Sequence, residues 1–346
     1  MTSEDSRNVE GGPAAEHPPI LARLRRRSFL ITAGLVGAGA AAFPALKGAT
    51  DTFLSDSGLD LPPLHRRCRF GAWVGGDADL VTNHRTLERR LGARLPLFSW
   101  FQAWDGGWNQ SVASQIAGLS TSPVYDCIVG WEAWNVNFRD IMSGAHDARL
   151  HDFFSQSGSY PGSVTVRLFH EMNGNWYPWT VASATSNVAS VDDWIRGWRH
   201  VVDAARAAGA TNTRFMFCAN MNDVGGIPVE RYWPGEEYVD IIGLDGYNWG
   251  WNSDGTPLVS AQALIGPMYA RLTSLHRTAP FEIGEIGCAE NPGKAQWLEN
   301  LYRSRSFPRL GGLLFFSEKK EQDWRLDSNQ RCVEVSRRYL TEPAHA

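Results

Sequence analysis

The sequence predicts an α/β protein built as one (β/α)8 TIM barrel, a single domain after an N-terminal export segment. Three observations predict it. From residue 65 onward, short apolar runs alternate with longer amphipathic stretches, as buried parallel strands alternate with covering helices. Eight such runs follow one another, with no linker and no internal repeat between them. Polar and aromatic residues collect at the carboxyl ends of these runs, where such a barrel presents its working groups.

The segment ahead of the barrel reads as an address. Residues 1–24 are polar, Pro- and Gly-rich and without a period. Arg25-Arg26-Arg27-Ser28-Phe29-Leu30 then leads into a weakly apolar, Gly- and Ala-rich run to Phe43, the layout of a twin-arginine export signal. Pro44 and the many small residues argue against a permanent membrane helix. Residues 1–50 are therefore expected to be a disordered N-terminus with a signal peptide, cleaved between Ala40 and Thr50. Residues 51–65 are expected as a linker and residues 66–340 as the catalytic barrel. The export machinery is an expected partner, and the mature chain is expected to be secreted or associated with the cell envelope. Gly34-Leu35-Val36-Gly37-Ala38-Gly39 imitates a phosphate loop, but basic residues precede it instead of a strand, which excludes that reading.

Strands are expected at Arg69–Val74, Leu95–Phe101, Tyr125–Trp131, Val164–His170, Arg214–Asn220, Tyr238–Asp245, Phe281–Ile286 and Gly312–Ser317. Helices are expected at residues 84–91, 110–118, 146–156, 192–208, 261–277, 293–304 and 328–339. The clearest is 192–208, where Trp194, Trp198, Val201, Val202 and Ala205 share one helical face and Gly209 supplies a stop.

Composition narrows the function. The chain of 346 residues carries 33 Lys and Arg against 37 Asp and Glu, a formal charge of -4. That balance lacks the basic footprint of a nucleic-acid binder. The 15 Trp stand out. An indole N–H needs a partner in a core, so a surplus points to exposed flat rings of the kind that stack on sugars. The 5 Cys contain no C-x-x-C pair, which argues against zinc-ribbon and thioredoxin-like readings. Cys68 and Cys332, near the two ends of the mature domain, form a candidate bridge in an oxidising compartment. No histidine has metal spacing, because position 174 after His170-Glu171 is Gly. No metal or cofactor is expected, and the chain is expected to act as a monomer.

Two carboxylates carry the chemistry. Glu171 closes strand four in Arg167-Leu-Phe-His-Glu-Met-Asn-Gly-Asn-Trp-Tyr-Pro-Trp179, and Glu285 closes strand seven in Pro280-Phe-Glu-Ile-Gly-Glu-Ile-Gly287. Paired carboxyl groups at facing strand ends are the apparatus of glycosidic cleavage. One stays protonated and donates to the leaving oxygen; the other attacks the anomeric carbon or activates water. A lone Glu at a strand end is more often a salt-bridged loop residue, but two in Gly- and aromatic-rich contexts favour catalysis. His170 is placed to bind substrate or tune the acid. Asp245 and Tyr247 lie beside strand seven, with the Tyr247 hydroxyl suited to aim Glu285. Trp176, Trp179, Trp249 and Trp251 are suited to stack on sugar rings, and Trp73, Trp100 and Phe315 are expected to line the site from strands one, two and eight. Glu132, at the end of strand three, is a further candidate carboxylate. Glu282 is three residues before Glu285, so it is expected on the opposite strand face, meeting an Arg outside the barrel. Ser99 and Ser317 lack a nucleophile elbow.

His170-Glu171-Met172-Asn173-Gly174-Asn175-Trp176-Tyr177-Pro178-Trp179 closely resembles the strand-four acid/base motif of glycoside hydrolase family 26. Phe70-Gly-Ala-Trp-Val-Gly75, Asp240-Ile-Ile-Gly-Leu-Asp-Gly-Tyr-Asn-Trp249, Phe281 to Gly287 and Trp324-Arg-Leu-Asp-Ser328 also resemble segments of that family, in the same order. The resemblance implies a retaining endo-β-glycosidase that cleaves a β-linked polysaccharide, β-1,4-mannan before mixed-linkage β-glucan or xylan; the alternative from another class is a barrel that binds carbohydrate without catalysis. It implies Glu171 as acid/base and Glu285 as nucleophile, with carboxyl groups about 5–5.5 Å apart as retention requires. It further implies that His170 and Trp176 line the site and that Tyr247, with Asp245 nearby, orients the nucleophile. Strand eight departs from the pattern. Phe315-Phe316 stands where the family's mannanases often carry a Trp, and no match is found for an additional substrate-binding histidine. Both departures bear on which sugar is bound.

Overall fold

The computed structural model describes residues 61–76, 79–119, 123–250 and 259–341. The expected export segment and most of the expected linker lie outside these residues, as does Trp251. Eight parallel strands close into a barrel in the order β1-β2-β3-β4-β5-β6-β7-β8. They are β1 (Arg69–Trp73), β2 (Leu97–Ala103), β3 (Asp126–Glu132), β4 (Val164–Leu168), β5 (Thr213–Asn220), β6 (Ile241–Asn248), β7 (Phe281–Cys288) and β8 (Leu310–Phe316). The helices are α1 (Leu64–Arg67), α2 (Leu80–Leu91), α3 (Gln110–Gly118), α4 (Phe138–Met142), α5 (Asp147–Gly158), α6 (Val191–Ala207), α7 (Ala261–Leu275), α8 (Lys294–Arg303) and α9 (Gln330–Leu340). Each expected strand and helix is present with ends moved by a few residues. Among the described residues, β5 and β6 are joined by 3-10 turns at Val229–Tyr232 and Glu236–Tyr238, and no helix had been expected there.

Helix α6 shows how local sequence and packing agree. The Ser190 side chain accepts the Asp193 amide at its N-cap, and Asp192 and Asp193 occupy the electropositive first turn. Its buried face is Trp194, Gly197, Trp198, Val201, Val202 and Ala205. The two indoles stack at 5.3 Å against Phe217 of β5.

Strand alternation divides each strand between the barrel interior and the helix layer. Arg69, Asp126 and Glu282 form an ion-paired floor at the amino-terminal end. Leu97, Ile128 and Leu314 make an apolar layer above it, as do Met216, Cys218 and Ile241. Gly71 is needed there, because a Cβ would come within 2.3 Å of the Leu97 carbonyl oxygen. The working end lies above these layers.

One irregularity changes which side chains reach that end. Leu244 pairs with Ile283, yet Asp245 pairs with Glu285, so β7 carries one extra residue at Gly284. The same shift appears against β8 between Ile283 and Ile286. This bulge turns Gly284 and Glu285 both inward. A Cβ on Gly284 would lie 2.6 Å from Asp245 Oδ1 and 2.7 Å from Cys218 Sγ, so only glycine fits. Glu282 therefore also faces inward. It meets Arg69 at 3.1 Å inside the barrel floor, which corrects the expectation of a partner outside the barrel.

The candidate disulfide is also corrected: all five thiols are free and buried. The Cys68 thiol donates to the Leu310 carbonyl at the amino-terminal end of the barrel. Cys332 lies in the first turn of α9, where the chain has just left the carboxyl end of β8. Bridging them would require crossing the height of the barrel, beyond the reach of a disulfide.

Candidate active site

Arg167 organises the mouth of the barrel. It rises from the interior face of β4 and is fully buried. Its Nη2 lies 2.7 Å from Asp245 Oδ2 and 2.7 Å from Glu285 Oε1, and Nη1 donates to the Gly284 carbonyl. One guanidinium thus spans β4, β6 and β7. Cys218 donates its thiol to the other Asp245 oxygen at 3.1 Å. Burial, opposed by Arg167, pushes the Asp245 carboxyl up to about 7. The Tyr247 hydroxyl donates to Glu285 Oε2, so both Glu285 oxygens are held.

Glu171 has a different setting. It follows β4 in a left-handed conformation at φ 55, with Phe169 two residues earlier at φ 47. Such backbone costs on the order of 1–3 kcal/mol per residue and persists only where its surroundings fix it. Here the Glu171 amide donates to the Cys218 carbonyl at 2.8 Å. Asn173 ties the same turn to β5 by donating to Asn220 and accepting from its amide. The Glu171 carboxyl accepts from Trp176 Nε1 at 2.7 Å. Burial, then the charges of Asp245 and Glu285, hold it well above the ordinary Glu range. The two carboxyl groups thus stand in different settings: Glu171 is buried with one indole donor, and Glu285 has a guanidinium on one oxygen and a phenol on the other.

His170 is fully buried, with Phe101, Tyr177 and Trp179 rings 5.0 to 5.8 Å away. Neither ring nitrogen has a hydrogen-bond partner among the described residues. Burial and the neighbouring Arg167 charge keep the imidazole well below its usual range, hence neutral. Trp73 joins Phe316 and Trp324 in an aromatic wall, with Phe101, Tyr247 and Trp249 against it.

Three expected aromatic positions are corrected. Trp100 is on the outer face of β2, packed on Phe98 and on Trp108 ahead of α3. Its neighbour Phe101 takes the interior position, over which Arg167 lies at 5.8 Å. Phe315 likewise faces the helix layer, against Phe70 and Tyr302, while Phe316 enters the mouth 4.5 Å from Trp73. In both cases the strand period moved the site by one residue. Trp179 is wholly buried and donates to the His170 carbonyl, so it supports the turn and has no free face for a sugar.

Sequence reasoning missed Arg167, Phe101, Phe316 and Trp324 as site residues. A signal for Arg167 existed: a charged residue inside an apolar strand needs a buried counter-charge. No group of three or more metal-ligating side chains occurs among the described residues. A cavity of about 220 Å³ beside Asn137 and Asn187 is lined by neither Glu171, Asp245 nor Glu285.

Comparison with known proteins agrees with the fold. The model of glycosyl hydrolase family 26 matches residues 159–274, a span that includes Arg167, Glu171, Asp245 and Tyr247. Endoglucanase H of Acetivibrio thermocellus is 31% identical over 276 residues, covering 78% of this chain and 30% of that protein. Mannan endo-1,4-beta-mannosidase A and B of Caldalkalibacillus mannanilyticus is 26% identical over 160 residues, covering 45% of this chain and 28% of that protein. The chain thus spans less than a third of the length of these curated relatives. Among solved structures, a Bacillus subtilis mannanase superposes with a TM-score of 0.58 at 15% identity, covering 84% of this chain and 90% of its own. A β-mannanase from a symbiotic protist of the termite Reticulitermes speratus, complexed with gluco-manno-oligosaccharide, gives 0.55 at 14%, covering 86% and 90%. At such identities these structures bear on the fold.

Proposed function

This chain belongs to glycosyl hydrolase family 26, and we propose that it is a retaining endo-β-glycosidase acting on a β-linked glucan or mannan backbone. The observation that carries the reading is the contrast between its two buried carboxyl groups. Glu171, whose hold on a proton is strengthened by burial and neighbouring negative charge, is suited to donate to the glycosidic oxygen. Glu285 receives donors on both oxygens, from Arg167 and from Tyr247, which fixes its orientation for attack on the anomeric carbon.

The reaction then runs as a double displacement. Attack by Glu285 forms a glycosyl-enzyme bond while the aglycone leaves with the Glu171 proton. Glu171, now a carboxylate, takes a proton from water, and the resulting hydroxide equivalent displaces Glu285 with net retention. The neutral His170 ring, with two unpartnered nitrogens, suits a sugar hydroxyl. The aromatic wall of Trp73, Phe316 and Trp324 offers ring surface beside it. The relative with the wider coverage is named an endoglucanase and the other a mannosidase, so both backbones belong in the first trial.

The test is product release from β-glucan, mixed-linkage glucan, mannan, glucomannan and xylan, with Glu285→Ala as the blank. Azide is expected to restore activity to Glu285→Ala and to give a glycosyl azide of inverted configuration. Activity retained in the folded Glu285→Ala variant would overturn the nucleophile assignment. Export by the twin-arginine route is part of the proposal and rests on Arg25-Arg26-Arg27-Ser28-Phe29-Leu30. Replacing Arg26 and Arg27 by Lys should stop export; unchanged secretion would remove that part.

A further inference from the structure

A third carboxyl group faces the same mouth and has no part in the double displacement. Glu132 ends β3, and the alternation of that strand points it inward. Ile128 belongs to the interior layer, and a Cβ on Gly130 would meet the interior ring of Phe101 at 2.6 Å. Glu132 continues this face, whereas Trp131 stacks outward on Phe153. The residue is almost completely buried.

Its setting repeats that of Glu171. Glu132 Oε2 accepts from the indole of Trp134, two residues on, at 2.8 Å, as Glu171 Oε2 accepts from the indole of Trp176. Tyr177 stands by both: its ring contacts Trp134 and Trp176, and its hydroxyl feels the charges of both Glu171 and Glu132. Among the described residues that indole is the one hydrogen-bonding partner of Glu132. No protein group there accepts a proton from it. Three charges face the carboxyl: Glu285 from β7, Arg167 from β4 and Lys320 from the segment after β8. Burial comes first among the influences and pushes the group up to about 7.

We infer that Glu132 is a substrate-binding acid, which donates a hydrogen bond to a hydroxyl of the bound pyranose chain and helps to select it. The inference rests on the glycosidase reading. It follows from placement: a buried carboxyl on the interior face of β3, at the same barrel end as Glu171 and Glu285, braced by one donor and with its proton left for the ligand. A buried donor of this kind discriminates strongly, since a substrate lacking the matching hydroxyl leaves the protein group unpaired. Glu132 also differs from the two reacting carboxyls in lying on β3, outside the β4–β7 pair that flanks the bond. Its contribution should therefore appear in binding more than in turnover.

The experiment compares wild type, Glu132→Gln and Glu132→Ala on the best polysaccharide of the panel, with kcat and KM separated across pH 5–8. Glu132→Ala is expected to lose about tenfold to a hundredfold in kcat/KM, mostly through KM. Glu132→Gln keeps a donor and should stay within a few-fold of wild type. In wild type, KM should rise as pH passes about 7; in Glu132→Gln that rise should be smaller, with only the part due to Asp245 left. Equal KM for all three, or a rise in KM as large in Glu132→Gln as in wild type, would overturn the inference while leaving the hydrolase standing. A folded wild type inactive on every substrate would instead defeat the functional reading. Calorimetry with oligosaccharides then decides for Glu132: weaker binding in Glu132→Ala supports it, and equal or absent binding overturns it. Melting curves of all variants distinguish lost contacts from lost fold.

Discussion

Arg167→Met is the most informative perturbation of the buried network. The guanidinium is wholly buried and serves two carboxylates at 2.7 Å each, with a third bond to the Gly284 carbonyl. Methionine approximates the stem and removes the charge. Removing one partner of a buried ion pair costs about 3–5 kcal/mol, because the other charge remains buried without its counter-ion. Here two charges lose the same counter-ion, so the upper part of that range applies. For a domain of this size each kcal/mol lowers the melting temperature by about 2 °C. A fall of roughly 8–10 °C follows. Activity should fall by a larger factor, at least about a hundredfold, since Glu285 loses the donor that holds one of its oxygens.

Calorimetry and kcat/KM on the same preparations test this. The double variant Arg167→Met/Asp245→Asn supplies the control, because it removes an orphaned charge together with the cation. The double variant should recover several degrees relative to Arg167→Met and recover no activity. Arg167→Lys should fall between, as an ammonium keeps the charge but cannot span three acceptors in the planar fork. If Arg167→Met melts within 2 °C of wild type, the reasoning fails, for the carboxylates would then not depend on this cation.

Further consequences are open to the same assays. Trp176→Phe removes the hydrogen bond that lowers the Glu171 pKa, so the alkaline limb of the rate profile should move to higher pH; movement to lower pH would contradict the acid role. Gly284→Ala places a methyl 2.6 Å from Asp245 Oδ1 and should cost about 1–3 kcal/mol together with most activity. Wild-type stability provided by Glu132 is present below its unfolded value near 4.5 and is lost as pH rises through about 7. Glu132→Gln should therefore show a flatter melting temperature between pH 4.5 and 7.5, and an unchanged slope would exclude a raised pKa. Native protein should resist thiol reagents, all five cysteines being buried, and yield five thiols on unfolding.

Much of the barrel was legible because its signals are local. The alternation of runs gave the strand and helix order, and the face of α6 was read correctly from Trp194 to Ala205. The two central carboxylates and Tyr247 were legible because they stand at strand ends, where polarity has no other structural reason. The misplacements of Trp100 and Phe315 share one cause. In β2, Leu97 to Phe101 is apolar on both faces except for Ser99, so composition does not reveal which residues look inward. β8 is apolar throughout, and Phe315 was read for Phe316. Parity in a doubly buried strand is set by its neighbours: Gly130 makes room for Phe101, and Gly71 for Leu97 and Leu314.

The bulge in β7 takes this one step further. By simple alternation Glu282 and Glu285 face opposite sides, and any rule of period two must misplace one of them. The extra residue at Gly284 lets both face inward, with Glu282 closing the floor and Glu285 opening on the mouth. The same bulge aims the Gly284 carbonyl at Arg167 and brings the Gly284 Cα so close to Asp245 that no side chain fits. A single inserted residue thus positions the Glu285 carboxyl, supplies an acceptor for its Arg167 partner and accounts for the glycine. Deleting Gly284 should restore regular pairing, turn Glu285 outward and abolish activity even if the barrel closes. A folded deletion variant with activity would show that the bulge is not what presents Glu285.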